Sequence, residues 1–258
     1  MCIILFAVNE HEHYPFILAA NRDEYYSRPA SSADYWTQHP TILAGRDLQA
    51  GGTWLGISTS GSFCAVTNHY RRDERARNAS LLSRGNLVTS FLTSNAGIED
   101  YSSVLRSTKD QYNGYGILFG DFSKLRYQSN MSDVHTDVDH GVHGLSNHFL
   151  NSPWPRVEHG IQSLRELLKL DAPWTVDCLF AILRQGAQED PLRNLGKANG
   201  TTPLPPWEMP VFIRSKNFGT RSSTVIMADR SGCVCFEERV FNPKLNAYEE
   251  GRKFQLKV

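Results

Sequence analysis

The sequence predicts an α+β protein of antiparallel sheets, folded as one domain over residues 1–258. Three observations predict it. Apolar runs of strand length are separated by glycine turns, and two pairs of helical patterns stand between groups of those runs. No internal repeat or linker-like stretch interrupts the chain. A parallel sheet needs a crossover, usually a helix, at each step, so helices arriving in pairs between sets of strands favour antiparallel pairing.

Taken in order, Ile3 to Val8 is a continuous apolar run, as in a strand covered on both faces. A polar turn from Asn9 to His13 leads to Phe16–Ala20, which pairs back as a hairpin, and Asn21-Arg22-Asp23-Glu24 closes that second strand. An aromatic and proline loop precedes short strands at Thr41–Ala44, Thr53–Ser58 and Phe63–Thr67, with Gly45, Gly51-Gly52 and Gly61 in the turns. Helical spacing of Leu81, Leu82, Leu87, Val88, Phe91 and Leu92 predicts a helix over Ser80–Ser94, and a second is expected at Ile98–Arg106. Strands resume at Tyr115–Phe122, Leu125–Ser129 and Val142–Ser146. Pro153-Trp154-Pro155 opens a helix whose apolar face is Val157, Ile161, Leu164, Leu167 and Leu168; Val176–Arg184 is another. Residues 186–208 read as a long loop, followed by strands at Val211–Ser215, Ser223–Ala228 and Cys233–Val240.

Composition narrows the function. Lys+Arg and Asp+Glu are equal at 27 each, so no net positive charge points to nucleic acid or to an anionic membrane surface. No stretch reaches the roughly 18 apolar residues of a membrane helix, and the opening run lacks a basic flank and a small-residue cleavage site. Five cysteines without framework spacing imply reduced thiols and a cytoplasmic location. A small-molecule ligand is the default partner.

Cys2 carries the sharpest chemical signal. Removal of Met1, favoured when the next residue is small, would leave a thiol and an α-amine on one residue. A free thiol titrates near about 8.5, whereas an α-amine titrates at roughly 7.7–8.0 and can take the thiol proton. The bland alternative is a buried cysteine in a strand. Asn21-Arg22-Asp23-Glu24, on the strand paired with the first, falls beside Cys2: a carboxylate there can orient the α-amine and a guanidinium can favour thiolate, or the four residues can simply close a hairpin. Asn68 and Asn147 end strands, where an amide can serve an oxyanion or a turn. Arg221, in GTRSSTV, can bind an anionic group or pair with a carboxylate.

These residues carry a resemblance. MCII, LAANRDEYYSRP, GGTWLGIS, VTN, GLSN with SPWPRV, and GTRSSTV together resemble the NRDE, or transport-and-Golgi-organisation type 2, family from Met1 to about Val240. That family in turn resembles N-terminal nucleophile hydrolases of the bile-salt hydrolase and penicillin V acylase group. The resemblance implies an αββα sandwich of two antiparallel sheets and cleavage or transfer of an acyl group from an amide or thioester. Residue by residue it implies Cys2 as nucleophile, Asp23 as the holder of the α-amine, Asn147 and Asn68 at the oxyanion hole, and Arg221 as a late arginine near the cysteine. The hydrolases space arginine two or three residues before the aspartate; here Arg22 adjoins Asp23, and strand alternation then turns Arg22 away from the thiol.

Asn21, Arg22, Trp54 and His69 are the expected substrate contacts. No cofactor is required. A non-catalytic pocket holding haem or a lipid-like acyl-CoA is the alternative, and His69-Tyr70 and His148 are the residues the sequence offers for it. His135, His140, His143 and His148 fit no familiar zinc spacing, so no metal is expected. Cys233 and Cys235 share a strand face as buried thiols. Arg71, Arg72, Arg75, Arg77 and Arg84 read as a solvated basic face or as a phosphate contact.

Overall fold

A computed structural model describes residues 2–70, 80–94, 96–133, 135–171, 173–186, 206–249 and 251–258. In chain order, the hairpin β1 (Cys2–Val8) and β2 (Phe16–Tyr25) is followed by β3 (Ala30–Trp36), β4 (His39–Asp47), β5 (Leu55–Ser58) and β6 (Ser62–Asn68). Helices α1 (Gly85–Thr93) and α2 (Ile98–Ser107) lead to β7 (Tyr115–Asp121), β8 (Leu125–Ser129), β9 (His135–Asp137) and β10 (Gly141–Leu145). Helices α3 (Pro155–Leu168) and α4 (Val176–Leu183) precede β11 (Phe218–Ala228), β12 (Cys233–Asn242), β13 (Ala247–Tyr248) and β14 (Arg252–Lys257).

The strands form two antiparallel seven-stranded sheets. One runs β10-β1-β2-β11-β12, with β13 and β14 both on β12; the other runs β3 to β9 in chain order. Side-chain alternation then builds four layers. Ile4, Phe6, Phe16, Leu18 and Ile226 of the first sheet meet Leu43, Ile57, Phe63, Ala65 and Leu118 of the second in a central core. Ile3, Leu5, Ala7, Ile17 and Ala19, on the opposite face, pack under α3 and α4 through Val157, Ile161, Leu164 and Leu179. Ile42, Cys64, Ile117 and Phe119 pack under α1 and α2. Because both faces of β1 and β2 are covered, those strands are apolar without alternation. This is the αββα sandwich.

Several boundaries depart from expectation. β2 does not stop at Ala20: β1 and β11 flank it and keep its backbone paired through Tyr25, so the polar tetrad lies inside a strand. The expected aromatic and proline loop contains β3, whose register against β4 shifts twice and breaks the alternation that a sequence reader looks for. The helix expected from Ser80 begins only at Gly85. Residues Val211–Ser215 make no strand. Val211, Phe212 and Ile213 are apolar because they are buried, and only Arg214 bridges, to Gly219. β9, β13 and β14 are additional strands. Most of the expected 186–208 loop, and the arginines at 71, 72, 75 and 77, lie outside the described residues; Pro206–Glu208 is a single 3-10 turn.

Candidate active site

Strand register assembles the site. Cys2 stands opposite Arg22, Arg22 opposite Ser222, and Ser222 opposite Val240, a row across four strands on the face turned toward the second sheet. That row forms one wall of a cavity of about 420 Å3, and Cys2, Arg22, Trp54, Asn68, Arg84 and Arg221 all line it. The Cys2 thiol is free and half-buried. Arg22 therefore shares the thiol's side of the sheet. The expectation that it turns away fails because pairing register, not its adjacency to Asp23, decides which neighbour faces Cys2.

The cavity wall is charged. Burial pushes the Cys2 thiol up and the Asp23 carboxylate adds to the rise, while the Asp23 backbone N–H and the Arg22 guanidinium oppose it. Asp47 is the hub on the opposite wall: its Oδ2 accepts from Arg28 Nε at 2.6 Å and from Arg22 Nη2 at 3.4 Å, and its Oδ1 accepts the backbone N–H groups of Gln49 and Ala50. Burial would raise the Asp47 carboxyl, but the Arg28 hydrogen bond and these backbone donors hold it below the usual carboxylate range. Glu238, also on the wall, is raised by burial and accepts the Ala33 N–H at 2.6 Å, within the register shift of β3 between Ser31 and Asp34.

A depressed carboxyl contributes stability that is present above its unfolded pKa and lost as pH falls through the lower folded value. Urea unfolding is therefore expected to show wild type losing stability below about pH 4, with Asp47→Asn losing less over the same window. Parallel acid limbs in the two proteins would contradict that role.

The other expected residues separate into those at the cavity and those behind it. Asp23 lines the cavity at its rear, but its side chain belongs to the helical side of the sheet. Its Oδ2 accepts from Arg156 Nη2 at 3.0 Å and its Oδ1 from Thr220 Oγ1 at 2.8 Å. Asn21, expected to touch substrate, is turned the same way and saturated. Its Nδ2 donates to the carbonyls of Leu183 and Val211, and its Oδ1 accepts from Ser223. Arg221 reaches the cavity at a bulge in β11, but its Nη1 clamps the carbonyls of Tyr25, Tyr26 and Arg28 rather than a carboxylate.

Asn147 does not line the cavity. Its Nδ2 donates to the Asn68 carbonyl at 3.0 Å, and the Tyr70 N–H donates to its own carbonyl, so it fixes the end of β6 where Asn68 lines the wall. His69, expected at the pocket, stacks instead against His148 and Phe149 at ring separations of 4.8 Å, away from the cavity lining. Among the described residues no three His, Cys, Asp or Glu side chains are grouped to hold a metal ion. Sequence reasoning missed Asp47, Glu238 and Arg156. Arg156 sits in the SPWPRV block, directly after a helix-opening proline, yet nothing local announces its partner.

Gly52 lies against the start of α1, beside the cavity-lining residues Thr53 and Gly85. A Cβ on it would lie 2.6 Å from the Gly85 carbonyl carbon at the start of α1, and Gly85 in turn packs its α-carbon on the Thr53 backbone. The two glycines let the 51–54 turn touch the α1 N-terminus. Gly52→Ala must push backbone against backbone, so a loss of about 1–3 kcal/mol is expected in thermal or urea unfolding. An unchanged melting curve would contradict this contact.

Fold and site together define an αββα sandwich of two antiparallel sheets in which the first strand presents a cysteine to a charged cavity. The chain belongs to the Transport and Golgi organisation 2 family, which matches residues 1–243. The transport and Golgi organization protein 2 homolog of Homo sapiens is 33% identical over 277 residues, covering 99% of each chain. The Bos taurus homolog is 35% identical over 258 residues, 93% of this chain and 92% of that one. Among solved structures, penicillin V acylase from Agrobacterium tumefaciens is similar with a TM-score of 0.49 at 13% identity, over 100% of this chain and 86% of that one. The C2A mutant of conjugated bile acid hydrolase from Clostridium perfringens gives 0.46 at 14%, over 100% and 92%. Among the described residues no helix is long and apolar enough to cross a membrane.

Proposed function

We propose that the protein is an N-terminal-cysteine hydrolase or acyltransferase acting on an amide or thioester of an acyl, lipid-like substrate. The observation that carries this reading is the placement of the Cys2 thiol: it opens onto the cavity from the first residue of an interior strand, with the Arg22 guanidinium on the neighbouring strand. In a chain that begins at Cys2, the Asp23 carboxylate, one residue along β2 from Arg22, holds the α-amine.

The α-amine takes the thiol proton as sulfur attacks the acyl carbon. Asn68, anchored by Asn147, supplies an amide donor to the carbonyl oxygen as it becomes negative. Collapse breaks the bond to the leaving amine or thiol, which receives the proton from the α-ammonium. Water, or an acceptor nucleophile, then attacks the thioester on Cys2 and returns the thiol. Trp54 and the arginines of the wall provide a surface for the apolar and anionic parts of the substrate. The thiol is raised by burial in the resting site, so the attack depends on the amine.

A panel of acyl thioesters and acyl amides, followed by product release, tests the proposal. Turnover of at least one member is expected. A processed, folded protein that turns over none and gains no acyl adduct overturns it. The same arginines support a second reading, a non-catalytic carrier of haem or acyl-CoA, whose carboxylates or phosphates would pair with them. Saturable binding without turnover, unaffected by Cys2→Ala, is the outcome that favours the carrier.

A further inference from the structure

Arg156 has a wholly buried guanidinium that the chemistry above leaves unused. It belongs to the first turn of α3 and reaches through the sheet's outer face to Asp23, which is equally buried. One nitrogen, Nη2, serves both Asp23 Oδ2 at 3.0 Å and the Val211 carbonyl at 3.3 Å, while Nε and Nη1 have no hydrogen-bond partner among the described residues. A buried cation with unpaired donors is costly, and well-packed apolar residues commonly stabilise such a position better. What the arginine supplies is a fixed positive charge against one carboxylate. With Thr220 on the other oxygen, Asp23 is pinned from two elements at once.

The helix that carries Arg156 rests on the strand that carries Cys2. Val157, Ile161 and Leu164 pack with Ile3 and Leu5, and a Cβ at Gly160 would come within 2.6 Å of Leu5. Asp23 in turn adjoins Arg22, the residue opposite Cys2 on β2, and both its carboxylate and its backbone N–H act on the Cys2 thiol. We propose that Arg156 is the positioning residue of the Cys2 site: from behind the sheet it fixes the Asp23 carboxylate and offsets its charge, so that this carboxylate does not oppose negative charge on the neighbouring sulfur. The inference rests on the reading of Cys2 as a nucleophile.

The test is alkylation of Cys2 by iodoacetamide across a pH series on the full chain, with the N-terminal peptide quantified by mass. Arg22, Glu24, Asp47, Glu238 and Arg221 line the cavity in every variant and are unchanged. Arg156→Met leaves the Asp23 charge unbalanced and disfavours thiolate, so the rate at about pH 7.5 is expected to fall on the order of fivefold and the curve to move to higher pH. Arg156→Lys keeps most of the wild-type rate, and adding Asp23→Asn to Arg156→Met returns the curve toward wild type. A purely structural arginine would not show that return.

A curve that Arg156→Met leaves in place, or that Asp23→Asn fails to restore, overturns the proposal. Should Arg156→Met not fold, Asp23→Asn alone decides. Removing the carboxylate while Arg156 stays is expected to move the curve to lower pH, and no movement overturns the proposal. A wild-type Cys2 that resists alkylation up to about pH 10 sinks the nucleophile reading itself. That outcome differs from a reactive Cys2 indifferent to Arg156.

Discussion

Cys2→Ala is expected to abolish acyl transfer, by on the order of ten-thousandfold, while the protein stays folded. The change removes a single sulfur at the cavity wall. The backbone contact of Cys2, a hydrogen bond from Ser146 Oγ to its carbonyl at 2.9 Å, does not involve the side chain. The next residues of the strand, Ile3 to Phe6, are fully buried and hold β1 in place whatever occupies position 2. Loss of turnover should therefore come without loss of melting temperature, and the acyl adduct should vanish with it. Retained turnover in the alanine variant would contradict the mechanism, whatever the substrate proves to be.

Phe6→Ala carries the largest expected effect on stability, about 3–5 kcal/mol. Phe6 is fully buried on the same face as Cys2, in the central core between the sheets, and its ring stacks on His143 at 5.2 Å. Alanine leaves a void that neither sheet can close without moving strands paired on both sides, β10 and β2. A urea midpoint shifted well below wild type at an unchanged slope is the expected result. A loss under about 1 kcal/mol would mean that β1 is not the packed centre described here.

Legibility in the sequence followed burial. The hairpin reads directly where Ile3–Val8 and Phe16–Ala20 are covered on both faces and no polar residue interrupts either run. β14 (Arg252–Lys257) does not read as a strand, because it is an edge strand with charged residues on its open face. The polar tetrad from Asn21 to Glu24 read as a strand end, since the Gly219–Ser223 part of β11 that pairs with it comes only after α4 in the chain.

The site shows the same limit. Cys2 is legible from position alone, and Trp54 and Asn68 from their motifs. Which of Asn21, Arg22 and Asp23 meets the thiol is a question of register, and register is a tertiary fact. Arg156 lies 133 residues from Asp23 and reaches it only because α3 packs on β1. Arg221, which the sequence favoured, spends its charge on the carbonyls of the 25–28 turn.

The most direct measurement of the central claim is the mass of the N-terminal peptide after brief exposure to reactive acyl thioesters and rapid acid quenching. The account predicts a peptide that begins at Cys2 and carries one acyl group on its sulfur, absent in Cys2→Ala. A peptide that keeps Met1, or one that begins at Cys2 and stays unmodified across the thioesters while the protein is folded, would contradict it.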